Sequence, residues 1–486
     1  MIAEFITVLI IYIAVGTLIA LVSRRFGVKT TSEYFVAGYR LGGLLAAMTY
    51  AATTYSAFMM IGLVGFAYAT GVGALGFELA YLLATLILLT LFGRHVWFLA
   101  RERKWVSPSE MLSDLYGFEL MGITIAVIYL VALIPYISAQ VIGIGKIFEG
   151  IGVGYEVGVC VGVILAFLWI VIAGIWSIAT TDMYQGAWMI TAASIFIIWL
   201  LAFFIPSNGV DYGELVHALS SKGLTGITEF WSLPTFLAFT IPWVFFAVTN
   251  PQVVQRVFMP ANERSLKRLI QYFSIYGLIY TLIVTAIGLM ARGLTELGVL
   301  AEVSRDLVTP TLLLHLNPVL ASIVYVSIVA AAISTINSIV LSVASSFVRD
   351  LYERRVRVVD PRRSIRLANL VVAWLVIAAA VVAYFRPGFI VEMSVLSSVI
   401  LLPLAPITIA AWLCPSLARQ RVSRILSYVA LIVGVAMSLY AAISLGPKKA
   451  FVITYMGLPL SAWILIATSV IVLLGFLMGY VSASRK

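Results

Sequence analysis

The chain has 486 residues, of which 62% are hydrophobic and 11% charged. Soluble globular domains carry about 25% charged residues, so this composition excludes an ordinary water-soluble protein and indicates an integral membrane protein. The formal net charge of +10 would admit a nucleic-acid partner, but the placement of the charges gives it another origin.

About 20 consecutive apolar residues cross a bilayer as a helix. Thirteen stretches meet that requirement, at 3–22, 44–70, 74–99, 120–149, 157–179, 183–206, 234–250, 270–293, 318–346, 366–385, 389–413, 426–445 and 457–482. The longest segments between them, 207–233 and 294–317, are too short for an independent domain, so residues 1–486 are expected to form a single transmembrane domain. If the N-terminus lies outside, 24 of the 31 Lys and Arg residues fall in cytoplasmic segments. The other side then keeps Lys146, Lys222, Arg292, Arg305, Arg386, Lys448 and Lys449. Such an excess predicts a multi-pass plasma-membrane protein with its C-terminus in the cytoplasm. Basic loops facing an anionic leaflet account for the net charge, and neither a nucleic acid nor an obligate protein partner is expected.

The first span carries Glu4 before its apolar run and Arg24 and Arg25 after it. That charge order is the reverse of a secretory signal. The second span collects Thr49, Thr53, Thr54, Tyr55 and Ser56 among small residues. Two readings stand: close helix packing through small residues, or helix backbone opened at membrane depth where a cavity receives its polar groups. In the third span, Glu78 either snorkels to the interface or binds a solute group; intramembrane acids are functional candidates. In the fourth, Tyr136 and Gln140 lie four residues apart on one helical face, suited to holding a solute or a neighbouring helix.

Asp182, at the start of the predicted sixth span, reads either as an N-cap or as a cation ligand. In the seventh span Pro242 removes a backbone donor and Asn250-Pro251 marks the end; the segment is either a kinked structural helix or an aromatic cavity wall. In the ninth, Ala331, Ser334, Thr335 and Ser338 follow an i, i+3, i+4, i+7 spacing on one face. Their oxygens suit a hard cation, and a small-residue packing face is the alternative. Cys160 and Cys414 match no disulfide or metal spacing. No zinc-protease, nucleophile-elbow or P-loop motif is present, so neither an enzyme nor an ATP-driven pump is expected.

Several of these segments together resemble the sodium/solute symporter family, which includes bacterial proline, pantothenate, monocarboxylate and sugar symporters. The matching segments, in order, are SEYFVAGYRLGG at 32–43, YSAFMMIGLVGFAYATG, WSIATTDMYQG, NPQVVQRVFMPANERSLKR and AAAISTINSIVLSVASSFVRDLY. The resemblance implies an all-α membrane fold of the LeuT-like type, with about 13 helices. Five spans (2–6, residues 43–206) would be repeated in inverted topology by five more (7–11, residues 234–414), with 1–42 and 415–486 peripheral. It implies a main sodium site of backbone carbonyls from Ala52, Tyr55 and Ala331 and hydroxyls from Ser334 and Thr335. The family often has a smaller or aliphatic residue where Tyr55 stands, a departure that a carbonyl ligand tolerates. It also implies a second sodium at Asp182, Ser334, Asn337 and Ser338, and a solute site among Ser56, Met59, Glu78, Tyr136, Gln140, Trp243 and Phe246. Counted without gaps from Ser56, Glu78 matches a sugar-binding acid of the sugar symporters, whose other polar site residues are not evident here.

The function so implied is sodium-coupled import, by alternating access, of a small organic solute of the amino acid, monocarboxylate or pantothenate class, with Na+ as coupling ion. The alternatives are a proton-coupled transporter on the same fold, a sugar symporter using Glu78, and a sensor or channel.

Overall fold

The computed structural model describes residues 1–27, 29–356, 358–446 and 449–484. Of the basic residues counted above, Arg357, Lys448, Arg485 and Lys486 lie outside the described residues. The chain is a bundle of helices; among the described residues, eleven single helices and two bent pairs are long and apolar enough to cross a membrane. With each bent pair counted once there are thirteen spans, as the hydropathy pattern predicts. They are Ile2–Phe26, Gly43–Thr54 with Phe58–Thr70, Gly73–Arg103, Glu119–Gly150, Tyr155–Ile172, Ile175–Ser207 and Leu233–Phe258. The rest are Glu263–Glu296, Pro318–Arg355, Pro361–Tyr384, Ile390–Leu401 with Leu404–Leu413, Arg421–Leu445 and Leu460–Ser484. They are numbered 1 to 13 in that order.

Helix neighbours reveal a repeated unit. Span 2 packs on spans 6 and 8, and span 7 packs on spans 11 and 3. Span 9 touches spans 10, 5 and 6; span 4 touches spans 5, 10 and 11. Each contact maps onto another when spans 2–6 are exchanged for spans 7–11. Five crossings separate equivalent helices, so the two units run in opposite directions, an inverted repeat. Span 1 lies against spans 6 and 9, and spans 12 and 13 pair with each other beside spans 7 and 11.

Span 9 holds the centre. Every residue from Val324 to Ser346 is buried, the condition of a helix surrounded by protein rather than lipid. Its small side chains allow neighbours to approach closely. Around it the spans break where backbone groups find other partners. Span 2 leaves helical geometry at Tyr55 (φ −88°, ψ 105°) and resumes with a wide π turn over Phe58–Leu63, bent by 49°. Span 11 bends by 49° between Leu401 and Leu404, at Pro403, which has no N–H to continue the ladder.

Two expectations change. The fifth and sixth spans meet at Gly174 (φ 55°, ψ −134°), not near residue 180, because glycine alone accepts that backbone conformation. Asp182 therefore sits two turns inside the helix Ile175–Trp199, and the N-cap reading fails. The seventh span does not end at Asn250-Pro251. Asn250 is extended (ψ 119°), and Pro251 opens a further helix, Pro251–Phe258. Proline at a first helical position needs no N–H partner, so it restarts the span rather than closing it. As a result Arg256 does not belong to a loop; it is fully buried at the C-terminal end of span 7.

Candidate functional site

At the break in span 2, the freed donors and acceptors are taken up by different neighbours. On the donor side, the Ala57 N–H donates to Gln140 Oε1 of span 4 at 3.1 Å, and the Phe58 N–H donates to Ser56 Oγ at 3.1 Å. On the acceptor side, the Ala52 carbonyl receives Ser334 Oγ at 2.8 Å and Thr335 Oγ1 at 3.3 Å, and the Thr53 carbonyl receives Thr335 Oγ1 at 3.2 Å. Ser334 Oγ also lies 2.9 Å from the Ala331 carbonyl. Buried backbone groups of a broken helix require such partners. The structure thus brings Ala52, Ala331, Ser334 and Thr335 together, with Tyr55 at the turn beside them. Of the two readings of the second span, opened backbone is the one realised, and the stripe on span 9 is what faces it.

One turn further along span 9 is a second polar cluster. Asp182 Oδ2 accepts from Thr49 Oγ1 at 2.6 Å and lies 3.9 Å from Arg256 Nη2. Arg256 Nη2 donates to Ser338 Oγ at 2.6 Å and Nη1 donates to the Gln252 carbonyl at 3.3 Å. Ser338 and Thr53 share a hydrogen bond of 2.7 Å between hydroxyls. Spans 2, 6, 7 and 9 therefore meet at one guanidinium. Asn337, next to Ser338 in span 9, is buried, and its side chain has no hydrogen-bond partner among the described residues. Arg256 was missed in the sequence because it was counted with loop cations; its setting, QVVQRVF just after a proline, could have marked it as helical.

The predicted solute residues also converge. Trp243 and Phe246 of span 7 have ring centroids 5.3 Å apart, and Tyr136 of span 4 lies 6.3 and 6.2 Å from them. Tyr81 of span 3, not singled out in the sequence, completes the group at 5.9 Å from Trp243 and 5.7 Å from Phe246. Glu78 adjoins the Trp243 indole and lies within electrostatic reach of Tyr55, Tyr81 and Tyr136. It is buried rather than snorkelling to an interface. Gln140 Nε2 donates to the Tyr136 carbonyl at 3.3 Å. Ser56 and Met59 lie at the break itself, where the Met59 N–H donates to the Ser56 carbonyl at 2.9 Å.

The group is covered from both ends. At the end away from the arginine-rich loops, the segment joining spans 8 and 9 crosses span 2. The Thr309 hydroxyl donates to the Met60 carbonyl, and Arg305 pairs with Glu392 at the start of span 11. The Arg305 guanidinium lies 3.9 Å from the Phe389 ring centroid, and Asp306 Oδ2 accepts the Ile390 N–H at 3.2 Å. At the arginine-rich end, Arg349 pairs with Glu110 and Glu353, and Asp350 with Ser109 and Arg354. Arg305–Glu392 and Arg349–Glu110 were not legible in the sequence, since each joins residues far apart in the chain; Arg349–Glu353 and Asp350–Arg354 are one helical turn apart.

Comparison with known proteins agrees with this arrangement. A family model described as the sodium:solute symporter family matches residues 34–399. The sodium/pantothenate symporter of Escherichia coli is 27% identical over 361 residues, 72% of each chain. The high-affinity proline transporter PutP of Bacillus subtilis is 23% identical over 389 residues, 74% of this chain and 77% of its own. Among solved structures, a substrate-bound outward-open Na+-coupled sialic acid symporter superimposes with a TM-score of 0.78 at 18% identity, covering 98% of this chain and 97% of that one. The fold is LeuT-like. With the family model spanning most of its core and the broken second span facing the hydroxyl stripe of the ninth, the chain belongs to the sodium:solute symporter family.

Proposed function

We propose that this chain imports a small organic solute together with Na+ by alternating access, with the ion held by the carbonyls of Ala52, Tyr55 and Ala331 and the hydroxyls of Ser334 and Thr335. The observation that carries the reading is the reach of Ser334 and Thr335 to the Ala52 and Thr53 carbonyls at the break in span 2. All five proposed ligands are neutral oxygens. Such a shell suits a hard monovalent ion and holds it weakly enough to release it. The arginine-rich face is cytoplasmic in this reading, so the inside-negative potential draws Na+ inward at about 2.3 kcal/mol per charge per 100 mV. Ser56, Met59, Glu78, Tyr136, Gln140, Trp243 and Phe246 form the solute site beside the same break. Ion binding and solute binding therefore order one segment, and each favours the other.

A second Na+ at Asp182, Ser334, Asn337 and Ser338 would require Arg256 to withdraw from Ser338. With Arg256 in place, its own charge serves that cluster, and one Na+ per solute is the expected ratio.

The test is uptake into proteoliposomes under an inward sodium gradient, with potassium replacing sodium as control. The double variant Ser334→Ala, Thr335→Ala removes two ligands. At about 1 kcal/mol or more for each lost polar contact, half-maximal uptake should need roughly thirtyfold more sodium. Unchanged sodium dependence in a well-expressed double variant would sink the site assignment.

A further inference from the structure

Seven acidic side chains are buried among the described residues; five are matched by an arginine, and Asp306 accepts the Ile390 N–H beside Arg305. Glu110 and Glu353 share Arg349, Asp350 meets Arg354, Glu392 meets Arg305, and Asp182 lies near Arg256. Glu78 has no such partner among the described residues. It is 1% exposed, and its Oε2 accepts no hydrogen bond. A buried carboxylate left uncompensated is strongly unfavourable; it is relieved either by taking up a proton or by a cationic group that arrives with the solute.

The walls indicate which group. The Trp243, Tyr81 and Tyr136 rings stand around Glu78, and all are buried. Aromatic faces attract cations through the ring quadrupole, and quaternary and protonated amines are recognised in this way. The Tyr55, Tyr81 and Tyr136 hydroxyls adjoin Thr281, Thr54 and Ser56, and the Trp243 N–H adjoins Glu78, but none makes a hydrogen bond of ordinary geometry among the described residues. Buried polar atoms of this kind are ordinarily satisfied; here they can serve the polar remainder of a small solute. The Tyr55 hydroxyl is held in this wall by Gly277 of span 8, where a Cβ would come within 2.2 Å of it.

Resting on the symporter reading above, we infer that this site selects solutes bearing a protonated or quaternary amine, the charged nitrogen lying against Glu78 and the aromatic rings. Amines and zwitterionic amino acids fit. Free monocarboxylates and pantothenate would bring a second negative charge beside Glu78. Neutral sugars would leave its charge uncompensated. Tyr55 links the two functions, because its ring lines the amine site while its backbone forms the turn at the proposed ion site.

The test uses the purified full-length protein in two formats. The first is thermal stabilisation by a panel of the protein amino acids, choline, betaine and putrescine, set against lactate, acetate, pantothenate and galactose, each in sodium and in potassium. The second is sodium-driven uptake of whichever members bind. Stabilisation and uptake confined to nitrogen-bearing cations or zwitterions is the expected result. Glu78→Gln, which keeps the shape, should then raise the half-saturating amine concentration at least tenfold while sodium stabilisation is retained. Binding of a carboxylate or sugar instead, or an unaltered amine affinity in Glu78→Gln, overturns the inference. Sodium stabilisation with no amine bound also overturns it and leaves the symporter reading intact. Loss of any sodium effect in the unaltered protein defeats that underlying reading itself.

Discussion

Arg256 and Asp182 face each other at 3.9 Å with side chains 0% and 1% exposed, and Ser338 bridges the guanidinium to Thr53 of the broken span. The pair joins the C-terminal half of span 7 to span 6, one turn from the proposed ion site. Movement of span 7 away from span 6 must separate it, which gives the transport cycle a defined contact to break at the arginine-rich end.

Removing one partner of a buried pair costs about 3–5 kcal/mol, because the other charge is left uncompensated. Arg256→Gln should therefore lower the melting temperature in potassium. In sodium the loss should be partly recovered, since Asp182, Ser338 and Asn337 would then be free to hold a cation. The sodium-to-solute ratio, measured by dual-isotope flux, should rise by one. Equal stability of the variant in both salts would argue against a latent cation site.

Gly65 packs its α-carbon against the backbone of the segment joining spans 8 and 9; a Cβ there would lie 2.0 Å from the Arg305 carbonyl. Backbone cannot yield as a flexible side chain does. Gly65→Ala should hold that segment off span 2, raising amide hydrogen exchange over residues 300–316 while span 9 stays protected. Uptake should fall because closure fails, with less effect on solute affinity. Unchanged exchange in this region would show that the contact does not govern closure.

Asp306 lies in the same segment, outside the spans. Burial pushes its carboxyl up from the usual 3.8 to about 6, against the opposing pull of Arg305 and the Ile390 N–H. The closed segment thus binds the proton more tightly than an open one. Its contribution to closure is full below pH 3.8 and is lost as pH rises through about 6. Hydrogen exchange at Ile390, corrected for its intrinsic pH dependence, should show opening increase roughly tenfold or more across that window. Asp306→Asn should flatten the profile. A wild-type profile already flat would refute the linkage.

Hydropathy and charge alternation were enough to count the spans, because each depends on local composition that the bilayer enforces. The Ser334 and Thr335 stripe was visible for the same reason: one helix carries it at a regular period. Asp182 was misplaced because Gly174 is a lone glycine inside IVIAGIWSIATTD, where a turn and a continuous helix read alike. Arg256 was misassigned because positive charge near a predicted end looks like a loop. What makes it internal is the set of partners on spans 6 and 9, and contacts between distant segments leave no local pattern. Glu78 was visible as an intramembrane acid, but only the surrounding helices show that no arginine among the described residues reaches it.

The burial of Arg256 also bears on how the chain enters the bilayer. Span 7 is the least apolar of the eleven single-helix spans among the described residues, and Arg256 stands two residues from its end, where the cost of an arginine is smaller than at a helix centre. In lipid alone the guanidinium would have no counter-charge; Asp182 precedes it by one span, and Ser338 is synthesised later. A chain that stops at Phe258 therefore has Asp182 for its guanidinium but lacks Ser338, the hydroxyl that Arg256 meets in the complete bundle.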